Sequence, residues 1–381
     1  MATNYGGYMG RILLIDLTNE TAMEYPLTDE QRKETLGGKI LANRILRDHL
    51  TGAEAPFSEE NRIILSTGPL TGTGAPASAR FEITALSPKT SGIVSSNCGG
   101  NFGLYLKKAG FDAVILEGKC ASQRWIEIRD GDVQFHDASS LWGRKTSDCQ
   151  SRLKELIAAP CGSICIGPAG EDLLPSATVI SDGKAVGRAG MGAVLGWKKV
   201  KAITVSGSGE IPLSHPEEAA AEIQKWTQIL KEHPLTADPK KMNSCPGCPI
   251  RCKKPGKDAD PVLNDLGLDS MEAENHLPWL LEKHGVTLDR ISSGKSGRRR
   301  SKFYHSILET LHLQDCDDVF RTYQALTEVL SASGLCIFAV VACLRIQSGD
   351  GSISLSERLP RLLECCTGMR LEEKMLMDLL M

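Results

Sequence analysis

Short apolar runs bounded by turn residues recur through the first half of the chain, and each run predicts a β-strand. The clearest are Arg11–Leu17, Ile63–Ser66, Arg80–Leu86, Ala113–Glu117, Trp125–Arg129, Ser163–Ile166 and Ala202–Val205. A helical pattern covers Asp29–Leu50, interrupted at Gly37-Gly38, and also Leu104–Ala109, Thr146–Ala158 and Pro216–Glu232. After Pro212 most segments have the helical pattern. We therefore predict an α+β fold, with a β-rich N-terminal domain over residues 1–208 and a mostly helical region over residues 209–381.

Three glycine-rich stretches, predicted to be loops, interrupt this strand-rich half, at Thr67–Pro76, Ser95–Gly103 and Gly183–Gly196. Backbone N–H groups in such loops can contact a phosphate-bearing ligand, and Arg80 and Arg188 lie in or beside them. The alternative is that the glycines only form tight turns between strands. Within the third stretch, Gly190-x-Gly192-x-x-x-Gly196 is similar to a dinucleotide fingerprint, but we predict that it precedes a strand and does not open a helix, which disfavours an NAD site. No internal repeat is visible.

The sequence Ser-Cys-Pro-Gly-Cys-Pro-Ile-Arg-Cys places Cys245, Cys248 and Cys252 at C-x2-C-x3-C spacing. Thiolates at this spacing can converge on one soft metal centre, and the neighbouring prolines and glycine favour the turn that this requires. A [4Fe–4S] cluster takes four thiolates, and Cys336 is the candidate for the fourth. A zinc site and ordinary free cysteines remain the alternatives, although structural zinc sites favour two separated ligand pairs.

Composition narrows the class of protein. The chain has 381 residues, 41% of them hydrophobic and 24% charged, as in ordinary globular proteins. A net charge of −3 gives no general attraction to nucleic acid or to an anionic membrane. The thirteen cysteines are scattered, the N-terminus lacks the pattern of a signal peptide, and no run of about 18 apolar residues predicts a membrane span. We therefore expect a reducing, cytoplasmic location with thiols free to bind metal.

Several motifs together resemble the N-terminal domain of the aldehyde:ferredoxin oxidoreductases. They are Tyr8-Met-Gly-Arg-Ile, Thr67-Gly-Pro-Leu-Thr-Gly-Thr, Asn97-Cys-Gly-Gly-Asn-Phe-Gly, Gly110-Phe-Asp-Ala, Ile166-Gly-Pro-Ala-Gly-Glu and Gly187-Arg-Ala-Gly-Met-Gly-Ala-Val-Leu-Gly. The resemblance resumes at Cys245–Cys252, at Asn264–Ser270 and around Gly334-Leu-Cys336.

This resemblance implies a tungsten or molybdenum bis-pterin cofactor beside a [4Fe–4S] cluster. It assigns the cluster to Cys245, Cys248, Cys252 and Cys336. It assigns the pterins to Arg80, Asn97, Gly99, Gly100, Arg188, Asn264, Asp265 and Asp269. For Asp265, a helix-capping or surface carboxylate is the alternative interpretation from the residue type alone.

The chain also departs from the family pattern. Asn264 and Ser331 stand where the family's D-x-x-G-L-D and D-x-x-G-L-C motifs begin with Asp, and the regions that carry the family's active-site Glu and His have no counterpart. Such a chain corresponds to a shortened or internally deleted member, and no catalytic residue can be assigned.

The resemblance implies an oxidoreductase that oxidises a small aldehyde to the carboxylic acid and passes electrons to ferredoxin or another iron–sulfur carrier. A catalytically impaired cofactor-binding remnant is the alternative function. A homo-oligomer or a partner subunit that completes the pocket is compatible with either one.

Overall fold

The structure is a computed structural model, and it describes residues 3–157, 159–232, 245, 248–249, 261–268, 328–336 and 355–370. The predicted site residues Cys252 and Asp269 lie outside these described residues. Within the described part of the chain, no helix is long and apolar enough to cross a membrane.

Twelve named strands form the N-terminal part. They are β1 Ile12–Asp16, β2 Thr21–Tyr25, β3 Ile63–Ser66, β4 Arg80–Leu86, β5 Ile93–Gly99, β6 Ala113–Glu117, β7 Arg124–Arg129, β8 Asp132–Asp137, β9 Gly162–Ile166, β10 Val179–Ser181, β11 Lys184–Val186 and β12 Val200–Ser206. Every strand predicted from the apolar runs is confirmed. The prediction of a loop over Ser95–Gly103 is wrong at both ends: Ser95–Gly99 belong to β5, and Asn101–Gly103 belong to the following helix. Strand β5 pairs antiparallel with β4 along its whole length, with Arg80 opposite Gly99.

The helices are α1 Asp29–Thr35, α2 Gly38–His49, α3 Asn101–Lys108, α4 Thr146–Ile157, α5 Pro168–Glu171, α6 Met191–Trp197, α7 Pro216–Glu232, α8 Pro261–Leu266, α9 over residues 328–333 and α10 Leu355–Thr367. The four helical stretches predicted by position are confirmed, although α3 begins at Asn101, before the predicted Leu104, and α6 lies in a stretch predicted to be a loop. A capping box starts α1, in which the Thr28 hydroxyl accepts from the Gln31 N–H and the Gln31 side chain accepts from the Thr28 N–H. That most of residues 209–381 are helical stays a prediction, since much of that range is outside the described residues.

The strands form two six-stranded mixed sheets with the same topology. Their strand orders are β2-β1-β6-β3-β4-β5 and β8-β7-β12-β9-β10-β11, so that adding six to each label of the first sheet gives the second. Each sheet has one parallel pair, β1 with β6 and β7 with β12, and the other pairs are antiparallel. The structure therefore contains an internal repeat that was not visible in the sequence. A Gly-Pro pair follows the equivalent strands β3 and β9, at Gly68-Pro69 and Gly167-Pro168, and is the trace of the repeat in the sequence.

The two sheets share one apolar core. Helices α3 and α6 occupy equivalent places in the two repeats and contribute Phe102 and Leu106, and Met191 and Val194, to a single buried cluster. That cluster also takes side chains from both sheets, among them Leu13, Ile15, Phe81, Ile83, Ile126, Ile128, Ile164 and Ile203. Because burial of apolar area is the main favourable term in folding, this shared core explains why the two repeats associate.

A second apolar cluster joins segments that are distant in the sequence. Trp226 and Leu230 of α7 pack with Leu359 and Leu363 of α10, and the same cluster includes Leu330 of α9. It continues to Tyr8, Leu36, Leu70, Ala77, Leu335 and Cys336. The segment that carries Cys336 is thus packed directly against the N-terminal domain.

Candidate cofactor site

The repeat creates two equivalent glycine turns, each between an edge strand and a helix. Gly99 and Gly100 connect β5 to α3, and Gly187–Gly190 connects β11 to α6. The start of α3 contacts the turn between β10 and β11, where the Asn101 N–H donates to Asp182 Oδ2 at 2.7 Å. The start of α6 contacts the turn between β4 and β5, where the Ser87 hydroxyl donates to the Ala189 carbonyl at 2.7 Å. The two glycine turns therefore lie at opposite ends of the β4–β5 hairpin, separated by about 20 Å from the rise of a seven-residue strand.

The first glycine turn brings a strand end, an arginine and a cysteine together. A Cβ placed on Gly99 would lie 2.7 Å from Arg80 Nη1 and 2.7 Å from Cys245 Sγ, so the absence of a side chain at Gly99 lets both groups approach the strand end. Lys184 Nζ donates to the Gly99 carbonyl at 3.0 Å and lies 3.7 Å from Cys245 Sγ. Two cationic side chains, Arg80 and Lys184, thus surround the first cysteine of the C-x2-C-x3-C motif.

The pKa of Arg80 depends on the burial of its guanidinium and on the cysteines around it. Burial works to lower the pKa of Arg80. Negative charge at Cys336, Cys98, Cys245 and Glu82 outweighs that effect and raises the pKa of Arg80 above its ordinary value. Arg80 is therefore within electrostatic reach of the first and the last of the predicted cluster ligands.

Three of the four predicted cluster ligands lie among the described residues. Cys245 and Cys248 share a turn in which the Cys248 N–H donates to the Cys245 carbonyl at 3.0 Å. Cys336 is only 8% exposed, and its N–H donates to the Ala77 carbonyl at 3.0 Å. Cys248 packs against the apolar cluster that contains Cys336. Over the described ranges, no three His, Cys, Asp or Glu side chains form a group that could hold a metal ion, and the fourth ligand, Cys252, is not among those residues.

The two Gly-Leu motifs of the C-terminal half dock in equivalent ways on the two repeats. In the first motif the Gly267 N–H donates to the Asn264 carbonyl, and in the second the Gly334 N–H donates to the Ser331 carbonyl, both at 3.0 Å. The first segment contacts Gly167, whose Cβ would lie 2.5 Å from the Leu266 carbonyl carbon. The second contacts Gly68, whose Cβ would lie 2.1 Å from the Gly334 nitrogen. The glycine of each Gly-Pro turn is thus required by a protein segment and not by a ligand.

Asn264 offers one unsatisfied acceptor at this site. Its Nδ2 donates to the Gly183 carbonyl at 3.0 Å. Its Oδ1 is buried and has no hydrogen-bond partner among the described residues. A buried polar atom without a partner costs free energy, so an N–H donor from a bound group would fit here. The amino and ring N–H groups of a pterin are donors of this kind.

Of the other predicted site residues, Asn97, Gly100 and Arg188 lie at or beside the glycine turns, whereas Asp265 lies at the start of α4. Asn97 lies on β5, where its side chain accepts from Arg80 Nε and donates to Glu82 Oε1. Arg188 is exposed in the second glycine turn, and a Cβ on Gly100 would lie 2.7 Å from Asp182 Oδ2. Asp265 instead accepts from the Ser147 N–H at 3.1 Å in the first turn of α4, the arrangement of a helix-capping carboxylate. The structure thus favours the helix-capping alternative for Asp265.

The dinucleotide-like glycines have a packing role. The prediction that they precede a strand without opening a helix is wrong, since Gly190 is the N-cap of α6. A Cβ on Gly192 would lie 2.6 Å from the Thr178 carbonyl oxygen, and one on Gly196 would lie 1.9 Å from the Gly170 carbonyl oxygen. These two glycines allow α6 to pack against neighbouring backbone, which accounts for them without an NAD site.

Comparison with known proteins gives consistent matches. The family model described as aldehyde ferredoxin oxidoreductase, N-terminal domain, matches residues 12–207. The tungsten-containing aldehyde ferredoxin oxidoreductase of Pyrococcus furiosus is 36% identical over 233 residues, which is 61% of this chain and 38% of the relative. That of Pyrococcus horikoshii is 39% identical over 231 residues, 60% of this chain and 38% of the relative. The chain thus spans less than half the length of these relatives.

Two further matches are more distant. The aliphatic sulfonate oxidoreductase, WOR-like subunit, of Pyrococcus furiosus is 32% identical over 228 residues, covering 55% of this chain and 36% of that protein. The solved active-site complex BamBC of benzoyl-coenzyme A reductase with 1,5-dienoyl-CoA has a TM-score of 0.64 and 21% identity. It covers 91% of this chain and 64% of that chain, and at this identity the likeness shows the fold alone.

Proposed function

Because this chain belongs to the aldehyde ferredoxin oxidoreductase family, whose N-terminal-domain model covers residues 12–207, we propose that it binds a tungsten or molybdenum bis-pterin cofactor and a [4Fe–4S] cluster. The family uses a tungsten bis-pterin cofactor and a [4Fe–4S] cluster. The proposed function is an oxidoreductase that oxidises an aldehyde to a carboxylic acid and reduces ferredoxin or another iron–sulfur carrier.

The observation that carries this proposal is the pair of equivalent glycine turns. A bis-pterin cofactor has two similar halves, and a domain built from two copies of one topology offers each half an equivalent strand-to-helix turn. The turn at Gly99 adjoins Cys245, and the turn at Arg188 lies at the other end of the hairpin. In this proposal one pterin lies near each turn, with the cluster beside the Gly99 turn.

The residues present fit these groups in two respects. Thiolates are the ligands of iron–sulfur clusters, and the cationic side chains of Arg80 and Lys184 lie beside Cys245. The unsatisfied Asn264 Oδ1 fits a pterin N–H. When bound, the tungsten centre supplies the two-electron oxidation of the aldehyde, with an oxygen derived from water. The protein residues hold and orient the groups, and the apolar cluster around Cys336 excludes water from one side of the cluster ligand.

The proposed cytoplasmic location rests on the cysteines. The ten cysteines in the described part of the chain form no disulfide there, and seven of them are buried. A reducing compartment keeps such thiols available for metal and prevents disulfide exchange among them.

We predict that Cys248→Ala lowers the iron content of anaerobically purified protein, because three thiolates leave one iron of the cluster open and labile. The measurement is iron per chain together with the paramagnetic spectrum of the reduced protein. Cys161→Ala is the matched control, since Cys161 is also half-buried but packs against a different apolar cluster, that of Trp125, Cys149 and Leu153. Equal iron content in the two variants would contradict the assignment of Cys248 as a ligand of the cluster.

An impaired remnant is the second candidate function, and two residues favour it. Asn264 and Ser331 are neutral where the family motifs carry Asp. The regions that carry the family's active-site Glu and His also have no counterpart in this sequence, and general acid–base groups typically contribute about 10²–10⁴-fold each to a rate. We therefore expect aldehyde-dependent reduction of a viologen dye, by protein shown to contain both metal and cluster, to be slower than about 1 per second. Turnover within the ordinary range of about 1–10³ per second would contradict the impairment and support a competent enzyme.

A further inference from the structure

Glu82 is a carboxylate in an unusual place, on the inner strand β4, and it is only 2% exposed. A buried carboxylate is costly unless it is hydrogen-bonded. Glu82 Oε1 accepts two short hydrogen bonds, from Asn97 Nδ2 at 2.5 Å and from the Ser331 hydroxyl at 2.5 Å. Burial raises the pKa of Glu82, and the hydrogen bonds from Ser331 and Asn97 oppose that rise.

Ser331 and Asn97, the two hydrogen-bond neighbours of Glu82, can each act only as a donor to its carboxylate. The Lys39 N–H donates to Ser331 Oγ at 3.3 Å, so the Ser331 hydroxyl proton is left to donate to Glu82. On the other side, Arg80 Nε donates to Asn97 Oδ1, which leaves the Asn97 amide N–H group directed at Glu82. Both neighbours of Glu82 are therefore held in a single orientation.

The two hydrogen-bond neighbours of Glu82 are connected to different cysteines, Asn97 through Arg80 to Cys245 and Ser331 to Cys336. Arg80 reaches Cys245 across Gly99. Ser331 begins the motif that ends in Cys336, and both belong to the segment 328–336. The hydrogen bonds of Glu82 thus connect the surroundings of Cys245 with the segment of Cys336.

We propose that Glu82 is a positioning residue that ties the segment of Cys336 to the N-terminal domain and, through Asn97, fixes the Arg80 guanidinium at Cys245. The part of this role that concerns a cluster rests on the proposed function, whereas the tie itself does not. The neutral Ser331, in place of the family's Asp, then suits the Glu82 carboxylate, because an aspartate at this position would face Glu82 with a like charge.

Hydrogen–deuterium exchange of the full chain tests the tie without any cofactor. Ser331→Ala removes the donor to Glu82 and leaves the rest of β4 unchanged. Because hydrogen bonds to charged groups are among the stronger ones, we expect exchange in residues 328–336 to rise about tenfold or more. Glu82→Gln keeps the side-chain shape and one acceptor, so a smaller rise is expected there. Thr84→Val is the matched control, since Thr84 is also buried on β4 but its hydroxyl pairs with Ser95.

A second pair of variants separates positioning from general loosening. Ser331→Asp should raise exchange in residues 328–336 more than Ser331→Ala, and adding Glu82→Gln should remove most of that excess, because the repulsion needs both carboxylates. Unchanged exchange in Ser331→Ala, or an equal rise in Thr84→Val, would overturn the proposal. So would an excess exchange in Ser331→Asp that persists after Glu82→Gln is added.

Iron release to a chelator then connects the tie to the cluster. If the wild-type chain loads iron, Ser331→Ala should release it faster than Thr84→Val, and equal rates would refute the link between Glu82 and the cluster. If the wild-type chain loads no iron, the proposed function fails, while the exchange result still decides the role of Glu82.

Discussion

Replacing Asp112 with alanine is expected to lower the free energy of unfolding by about 3–5 kcal/mol. Asp112 and Lys107 form an ion pair at 2.6 Å, with side chains 3% and 0% exposed. Removing one partner of a buried pair leaves the other charge without compensation. Burial already lowers the pKa of Lys107, and the Asp112 carboxylate is what opposes this.

Asp112 also holds the N-terminal segment of the domain. It accepts from the Met9 N–H at 3.0 Å and from the Gly10 N–H at 2.9 Å, while Lys107 Nζ donates to the Gly7 carbonyl at 2.6 Å. Chemical denaturation of the Asp112→Ala variant measures the loss. Adding Lys107→Met should recover part of it by removing the uncompensated charge.

The control for that measurement is an exposed ion pair. Asp48 pairs with Arg44 at 2.7 Å, and both side chains are about half exposed. Asp48→Ala should cost no more than about 0.5 kcal/mol, the range of exposed helix pairs. A loss for Asp112→Ala no larger than this would show that the buried pair does not stabilise the fold.

Patterns of apolar residues predicted the inner strands β3, β4 and β6, but not β5, β11 or α6, which also carry the site. Ile63–Ser66 and Ala113–Glu117 are buried runs of the kind that inner strands have, and both are strands. Strand β2 was missed because Thr21–Tyr25 is almost entirely exposed and lacks a buried face. Strands β10 and β11 were missed because three-residue strands are too short to show a period.

The site residues were predicted from motifs, but their neighbours were not. Gly99 was singled out, and the structure shows that its lack of a Cβ admits Arg80 and Cys245. Nothing in the sequence around Glu82 indicates that its carboxylate meets Ser331, because that contact joins residues 249 positions apart. The repeat was hidden for a similar reason, since the two halves share topology and a Gly-Pro pair rather than a long stretch of similar sequence.

Gly68→Ala is expected to dislodge the segment that carries Cys336. The Cβ of alanine would lie 2.1 Å from the Gly334 nitrogen, 2.2 Å from the Ser333 carbonyl carbon and 2.5 Å from the Ala332 carbonyl oxygen. All three atoms belong to the backbone, so no side-chain rotation can relieve the clash. Overpacking of this kind costs about 1–3 kcal/mol. The backbone pairing of Leu70 N–H with the Ser333 carbonyl, now 3.0 Å, should be lost with it.

The measurements are iron per chain and hydrogen exchange of residues 328–336, compared with two other glycine variants. Gly92→Ala is the neutral control, because its Cβ would meet only Thr90 Oγ1, at 3.8 Å. Gly167→Ala clashes with the equivalent Asn264 segment, with 2.5 Å to the Leu266 carbonyl carbon, so it should disturb residues 261–268 and leave iron bound. Loss of iron in Gly68→Ala alone would show that each repeat docks its own motif and that only the Cys336 motif serves the cluster. Equal iron in all three variants would show that the docking of Cys336 on Gly68 is not required for the cluster.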